Sequence, residues 1–325
     1  MKYFLITLLV LTNYLVYESN SFSEEPCECG IENLSTRIIN GKPVDYERYP
    51  WFIQLNGCGG ALITDKHVVT SAHCIFPETD RPTIKPVLGL YNFSDYKSSP
   101  YLEVEEFIPH PEYIYIPDAL IAHYSSEHFW YDIAIIKLKK RLEFKDGLCP
   151  ICLSNFDKTD NLFAYGFGAQ NKGNQLVLAK FMHEVNLNRI GMKTCRSFFA
   201  GKNAFNETNT ICTLNHDMKH SLCAGDSGTP VSTRKDGRVY LSGIPFYADK
   251  QCGADGFIHP NLLEKVFAHL DWIRSETKTG FYCYGEHHPF EPGFHPEYKA
   301  VLEKIGPVDD IFYDAEDWYR SPLVF

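Results

Sequence analysis

Basic residues are scarce in this 325-residue chain: 31 Lys and Arg stand against 41 Asp and Glu, a formal net charge of −10. Binding a phosphate backbone needs a basic face, so a nucleic-acid partner is excluded. Beyond the N-terminal segment there is no apolar run approaching the roughly 20 residues that a bilayer crossing takes, and no membrane partner is expected. There is no internal repeat and no low-complexity tract. Zinc spacing is also missing: Cys149-Pro-Ile-Cys152 is a lone C-x-x-C pair with no second pair to answer it. Glu286-His287-His288 and His295 lack ligand spacing and read as solvated tail residues. No metal and no cofactor are expected.

What the chain does have is an N-terminal secretory pattern. Lys2 supplies the positive start, and the mostly apolar run that follows is short for a membrane span, so residues 1–22 read as a signal peptide. Export places the eleven cysteines in an oxidising compartment, where each native bridge contributes about 2–5 kcal/mol. Eleven is odd, so one thiol stays free or bonds another chain. Three N-x-S/T sequons, at Asn33, Asn92 and Asn206, fit a secreted glycoprotein.

With 44% hydrophobic residues, the chain can bury one large all-β core or two packed halves. Short apolar runs at 51–55, 60–63, 67–70, 133–138, 181–187, 230–233 and 239–244 alternate with Gly, Pro, Asn and Asp, the pattern of a sandwich or barrel. Residues 112–131 read as a long surface loop. From Asn261 to Lys278 the apolar positions Leu262, Leu263, Val266, Leu270 and Ile273 recur at helical spacing, with Asn261 as the cap and Gly280 as the stop. The tail, residues 279–325, holds nine acidic and three basic residues, five prolines and eleven aromatics. That is too aromatic for a disordered linker and suggests docking on the body or on a partner.

Three local patterns occur in a fixed order: Thr70-Ser-Ala-His73-Cys74, then Tyr131-Asp132-Ile-Ala-Ile-Ile, then Gly225-Asp226-Ser227-Gly228-Thr-Pro230. Amide hydrolysis at neutral pH needs a nucleophile stronger than water. A serine hydroxyl serves once an imidazole accepts its proton and a carboxylate fixes the imidazole's tautomer. Glycine beside the serine lets backbone N–H groups converge on the developing oxyanion. An α/β-hydrolase esterase is excluded, because its serine sits in G-x-S-x-G and its triad runs Ser, Asp, His; here the fifth residue is Thr229 and the order is His, Asp, Ser.

These motifs, with Cys58-Gly-Gly-Ala-Leu-Ile and Gly166-Phe-Gly168, resemble the chymotrypsin/trypsin family of serine proteases over residues 38–278. The resemblance implies an all-β fold of two six-stranded antiparallel β-barrels with a C-terminal helix. It makes His73 the general base and acid, Asp132 its orienting carboxylate and Ser227 the nucleophile, with the N–H groups of Gly225 and Ser227 as the oxyanion hole. Arg37-Ile38-Ile-Asn-Gly41 resembles the family's activation junction. Residues 23–37 would then be a propeptide, and cleavage after Arg37 would free the Ile38 ammonium to pair with Asp226. The implied partners are a protein or peptide substrate, a separate activating protease and protein inhibitors.

Matching to the family also implies bridges Cys58–Cys74, Cys195–Cys212 and Cys223–Cys252. Cys152 would hold the propeptide through Cys27 or Cys29, with the other of these joined to Cys149 and Cys283 left over. Ser221 stands at the base of the primary specificity pocket, where trypsin-like enzymes have Asp, so no counter-charge awaits Arg or Lys. Tyr247 and Ala248 replace the usual wall residues Trp and Gly, and either Gly256 or Asn261 faces the pocket. Cleavage after a bulky apolar or aromatic residue is expected, with a narrowed pocket for smaller side chains as the alternative. Leu90 replaces the glutamate of calcium-binding relatives. Thr229 replaces the second glycine of the serine motif, where a β-branched side chain would crowd the substrate side or alter the backbone. With the irregular pocket wall and the tail, it keeps open a second reading, a catalytically silent homologue that binds a partner.

Overall fold

The short β-branched runs pair into two curled antiparallel sheets. The computed structural model describes residues 27–33, 46–76, 83–114, 130–156, 161–172, 175–199, 205–215, 221–248, 252 and 259–294. The first sheet holds β1 (Phe52–Leu55), β2 (Cys58–Leu62), β3 (His67–Thr70), β4 (Val87–Leu88), β5 (Val104–Pro109) and β6 (Ala134–Leu138), in the order β4-β1-β2-β3-β6-β5. Val68 faces Ile136 and Val69 faces Ile135 across β3 and β6, the cross-strand pairing that β-branched side chains favour.

The second sheet draws on β7 (Cys152–Leu153), β8 (Asn161–Gly166), β11 (His183–Asn188), β12 (Thr210–Thr213), β13 (Val231–Lys235), β14 (Arg238–Tyr247) and β15 (Asn261–Lys265). Six of these run antiparallel in the order β11-β8-β13-β14-β15-β12, and the two-residue β7 adds a parallel pairing to β14. Asp236 and Gly237, both at positive φ, make the two-residue turn between β13 and β14. A hairpin of β9 (Ala169–Lys172) and β10 (Gln175–Leu178) stands apart, as does β16 (Phe281–Tyr282) with β17 (Gly293–Phe294). Among the described residues the α-helices are short: α1 (Met192–Phe198) and α2 (Leu270–Glu276).

One buried cluster spans both sheets, from Ile53, Val68 and Ile135 to Phe163, Val239 and Leu241. Tyr49 stacks on Tyr165 at 3.7 Å between ring centroids, and Trp51 Nε1–H donates to the Tyr165 hydroxyl at 2.6 Å. The two halves thus share this cluster, sealed by an aromatic seam, and smaller clusters lie within the second half.

The long helix expected over 261–278 is absent. Asn261–Lys265 is strand β15, Val266–His269 a 3-10 turn, and only Leu270–Glu276 is α-helical. β15 lies between β12 and β14, and adjacent Leu263 and Leu262 pack into two different buried clusters, so both its faces are covered. An inner strand of that kind has the same apolar density as a helix face.

Cys58–Cys74, Cys195–Cys212 and Cys223–Cys252 lie at bonding distance, as the family match implies. Cys152 takes Cys29. The remaining assignment is corrected: Cys27 pairs with Cys283, and Cys149 is a free, buried thiol. The reason is a strand-like alignment of the N-terminal segment with the tail, in which Cys29 N–H donates to Tyr284 O at 2.9 Å and Tyr284 N–H donates to Cys27 O at 2.7 Å. The start of the tail docks on the first sheet. Arg141 Nη2–H donates to Thr279 O at 2.6 Å, and Phe281 N–H donates to Asp65 Oδ1 at 2.8 Å. His288 packs against Tyr282 and Phe290 rather than standing in solvent. Residues 1–22, the Arg37–Ile38 junction, most of the 112–131 loop and residues 295–325 lie outside the described residues. Among the described residues, no helix is long and apolar enough to cross a membrane.

Candidate active site

His73 lies in the 3-10 turn Ala72–Ile75 that follows β3, and Asp132 immediately precedes the β6 region. Because Thr70 pairs with Ala134, the sheet register carries these two distant residues together. The buried Asp132 carboxylate accepts the His73 backbone N–H on Oδ1 at 2.8 Å and its Nδ1–H on Oδ2 at 2.7 Å. Two bonds to one carboxylate fix both the ring's position and its tautomer, leaving the lone pair on Nε2. Burial alone would disfavour the imidazolium, but the Asp132 carboxylate outweighs it and raises the pKa of His73 above the ordinary histidine value.

Ser227 comes from the other half of the molecule, on the turn before β13. Its carbonyl accepts Gly59 N–H at 2.8 Å, and the next residue, Gly228, donates to Pro245 O, which also accepts the Ser71 hydroxyl at 2.7 Å. Gly228 has φ +72°, and a Cβ there would stand 2.3 Å from Thr70 Oγ1. Only glycine lets the serine turn close on the histidine strand. Gly225 sits at φ +96° on the other side of the turn. Among the described residues, the N–H groups of Gly225 and Ser227 donate to no protein acceptor. No hydrogen bond joins Ser227 Oγ to the imidazole, whose Nε2 has Cys74 Sγ at 3.7 Å. Bonds of this kind often tighten only when substrate arrives.

Asp226 turns inward. Its carboxylate accepts Gly168 N–H on Oδ1 at 2.9 Å and Cys223 N–H on Oδ2 at 3.0 Å. A Cβ on Gly168 would lie 2.0 Å from that carboxylate, which explains the glycine of Gly166-Phe-Gly168. Burial outweighs the two backbone donors and pushes the Asp226 carboxyl up to about 6. It borders a cavity of about 390 Å³ lined also by Gly168, His183, Val185, Ser221 and Cys223.

Ser221 Oγ–H donates to Asn261 Oδ1 at 3.0 Å, and Asn261 Nδ2–H donates to Thr213 Oγ1 at 3.2 Å. Of the two candidates, Asn261 lies against Ser221, and Gly256 lies outside the described residues. Tyr247 sets its ring edge-on to Phe199, and Ala248 packs against the second sheet's core. Thr229 is buried, with its hydroxyl donating to Tyr165 O at 2.5 Å in the seam between the halves. Asn33 Nδ2 donates to Glu47 O at 2.9 Å, while the Asn92 and Asn206 side chains accept backbone N–H groups two residues on. Leu90 is buried.

Sequence reasoning missed Glu264 and His269. Both are buried, and Glu264 Oε1 accepts the backbone N–H of Asp132 at 3.0 Å. The available signal was a lone carboxylate inside the apolar run of 261–270.

Comparison with known proteins accords with this geometry. The family model described as Trypsin matches residues 38–273. Serine proteinase stubble of Drosophila melanogaster is 30% identical over 240 residues, 67% of this chain and 29% of that protein. CLIP domain-containing serine protease B9 of Anopheles gambiae is 30% identical over 277 residues, 77% of this chain and 65% of that protein. A venom serine protease of Polistes dominula is 28% identical over 86% of this chain and 97% of its own length. The chain thus spans less than two thirds of the first two relatives. With its two curled sheets and its match to the family model, the chain belongs to the chymotrypsin/trypsin-like family of serine proteases.

Proposed function

We propose that this protein is a secreted serine endopeptidase, made as a zymogen and working through His73, Asp132 and Ser227. The observation that carries the reading is the Asp132–His73 pair, held by two hydrogen bonds, with the serine turn packed on the histidine strand and the Gly225 and Ser227 N–H groups donating to no acceptor among the described residues. Ser227 Oγ attacks the scissile carbonyl as His73 Nε2 takes its proton. The oxyanion is held by the N–H groups of Gly225 and Ser227, an arrangement in which one lost donor costs roughly 10²–10³ in rate. Collapse expels the amine, which takes the proton back from His73, and water then cleaves the acyl-enzyme by the same relay.

Activation follows from Asp226. A buried carboxylate facing a cavity without a cation is unfavourable, and the ammonium freed by cleavage after Arg37 would neutralise it. Residues 1–22 act as signal, 23–37 as propeptide, 38–278 as protease domain and 279–325 as tail. The Cys29–Cys152 and Cys27–Cys283 bridges would keep the propeptide attached after cleavage. The Ser221–Asn261 pair offers no counter-charge to Arg or Lys, so an enzyme of this specificity needs a separate trypsin-like activator. The pocket is assigned to apolar side chains. Secretion is supported by the five bridges and by relatives named as venom proteases.

The test is digestion of a peptide library by protein cut after Arg37 with a trypsin-like enzyme, beside the Ser227→Ala variant. Cleavage after apolar residues that disappears in the variant is the expected result. The silent-homologue reading rests on Thr229, the irregular pocket wall and the tail; the Thr229 side chain is spent on Tyr165 O, so that residue supplies no support for it. Intact peptides with the cut wild-type protein would restore it.

A further inference from the structure

Asp132 sits in an unusual backbone turn. Tyr131 has φ +56°, a conformation costing a non-glycine residue about 1–3 kcal/mol, and Ile133 N–H donates back to Tyr131 O at 2.8 Å. The turn points the Asp132 backbone N–H into the protein interior, away from any strand partner. There Glu264 Oε1 accepts it at 3.0 Å, and Glu264 Oε2 takes the Nε2–H of His269 at 2.9 Å. Both side chains are 2% exposed, a carboxylate and an imidazole sealed behind the site. The His269 ring is itself held edge-on by Tyr131 at 6.0 Å and by His110 at 5.1 Å between centroids, and His110 stacks on Tyr131 at 4.7 Å. The contact closes a ring: the residue forced into positive φ clamps the imidazole that anchors the carboxylate that holds the turn.

A buried carboxylate set beside a second one is unfavourable, so its presence calls for a compensating structural role. Burial, with the nearby Asp132 charge, does raise the Glu264 pKa, opposed by His269 and the Asp132 N–H. What Glu264 supplies is an acceptor for the backbone N–H of the same residue whose carboxylate orients His73. We propose that Glu264, anchored by His269, is a positioning residue that sets the aim of the Asp132 carboxylate at the His73 imidazole. The inference rests on the triad reading above for its effect on rate, and on geometry alone for its effect on the Asp132–His73 bond.

The experiment uses the full chain cut after Arg37, as wild type, Glu264→Leu and Glu264→Gln, with two readouts. The first is kcat and KM on a peptide substrate. The second is the downfield NMR resonance of the His73 Nδ1–H, which reports its bond to Asp132 whether or not the protein turns over. Glu264→Leu is expected to lower kcat about 100-fold with KM unchanged, the cost of misplacing a catalytic group by about an ångström. Its downfield resonance should broaden or vanish. Glu264→Gln keeps the acceptor and should restore both. A general packing defect would not distinguish Gln from Leu in this way. If Glu264→Leu does not fold, His269→Leu removes the anchor by the other route, with a smaller loss of kcat that His269→Gln restores. Wild-type kcat and an unchanged resonance in Glu264→Leu, or in His269→Leu, would overturn the proposal. A wild type without turnover, whose resonance still responds to these substitutions as described, would sink the protease reading and leave the positioning role standing.

Discussion

The uncut precursor should lose stability as pH rises through the titration of Asp226, and the cut form should not. The Asp226 carboxyl is ordinarily near 3.8 and stands at about 6 here, because two backbone N–H groups do not repay its burial. A carboxyl raised on folding is protonated in the folded protein over a window where the unfolded chain has already released its proton. Between pH 3.8 and about 6, stability therefore falls with rising pH, and the full penalty is present above 6. At about 1.4 kcal/mol per pH unit the gap amounts to about 3 kcal/mol. For a protein of this size that is a difference of about 6–12 °C in Tm. The assay is a pair of melting curves at pH 4 and pH 7 for the precursor and for Asp226→Asn. The precursor should lose those degrees relative to the variant, and cleavage after Arg37 should return them by supplying the ammonium. Activity of the cut form should then vanish at alkaline pH as that ammonium deprotonates, above the ordinary α-amino value of about 8. A precursor that melts like Asp226→Asn at both pH values, or an Asp226→Asn protein that activates normally, would refute the reasoning.

Three further outcomes follow from the same geometry. Since Asp132 raises the His73 pKa and the base must be neutral, kcat/KM should fall as pH drops through a value above 6.5, and a midpoint below that would contradict the pairing. Thr229→Val removes the only side-chain donor to Tyr165 O among the described residues and should cost about 1–3 kcal/mol in denaturant melts, with activity retained; unchanged stability would show the bond to be worthless. Burial pushes the Cys149 thiol up to about 11, so one thiol per chain should react with iodoacetamide in denaturant and none in the native protein.

The strands and the site were legible for different reasons. Val68, Val69, Ile135 and Ile136 announce strands through β-branching, because this signal is local. The His73–Asp132 pairing and the serine turn were legible because their motifs encode backbone requirements, such as the closure that only Gly228 allows. Strand β15 was not, since Leu262, Leu263 and Val266 satisfy a helical period as well as an inner strand's double burial, and only pairing with β12 and β14 decides between them. The Cys27–Cys283 bridge joins residues 256 apart in the chain, and no spacing rule reaches that far. Glu264 was hidden by its own charge, because a carboxylate in a strand reads as exposed until its two partners are in place.

The central claim is that Ser227 is a nucleophile activated by His73. A fluorophosphonate ester, incubated with protein cut after Arg37 and followed by peptide mass mapping, tests it directly. A single adduct on the peptide carrying Ser227, blocked by His73→Ala and absent from the uncut chain, is the predicted result. An unmodified Ser227 in the cut protein, or an adduct that forms as fast without the imidazole, would contradict it.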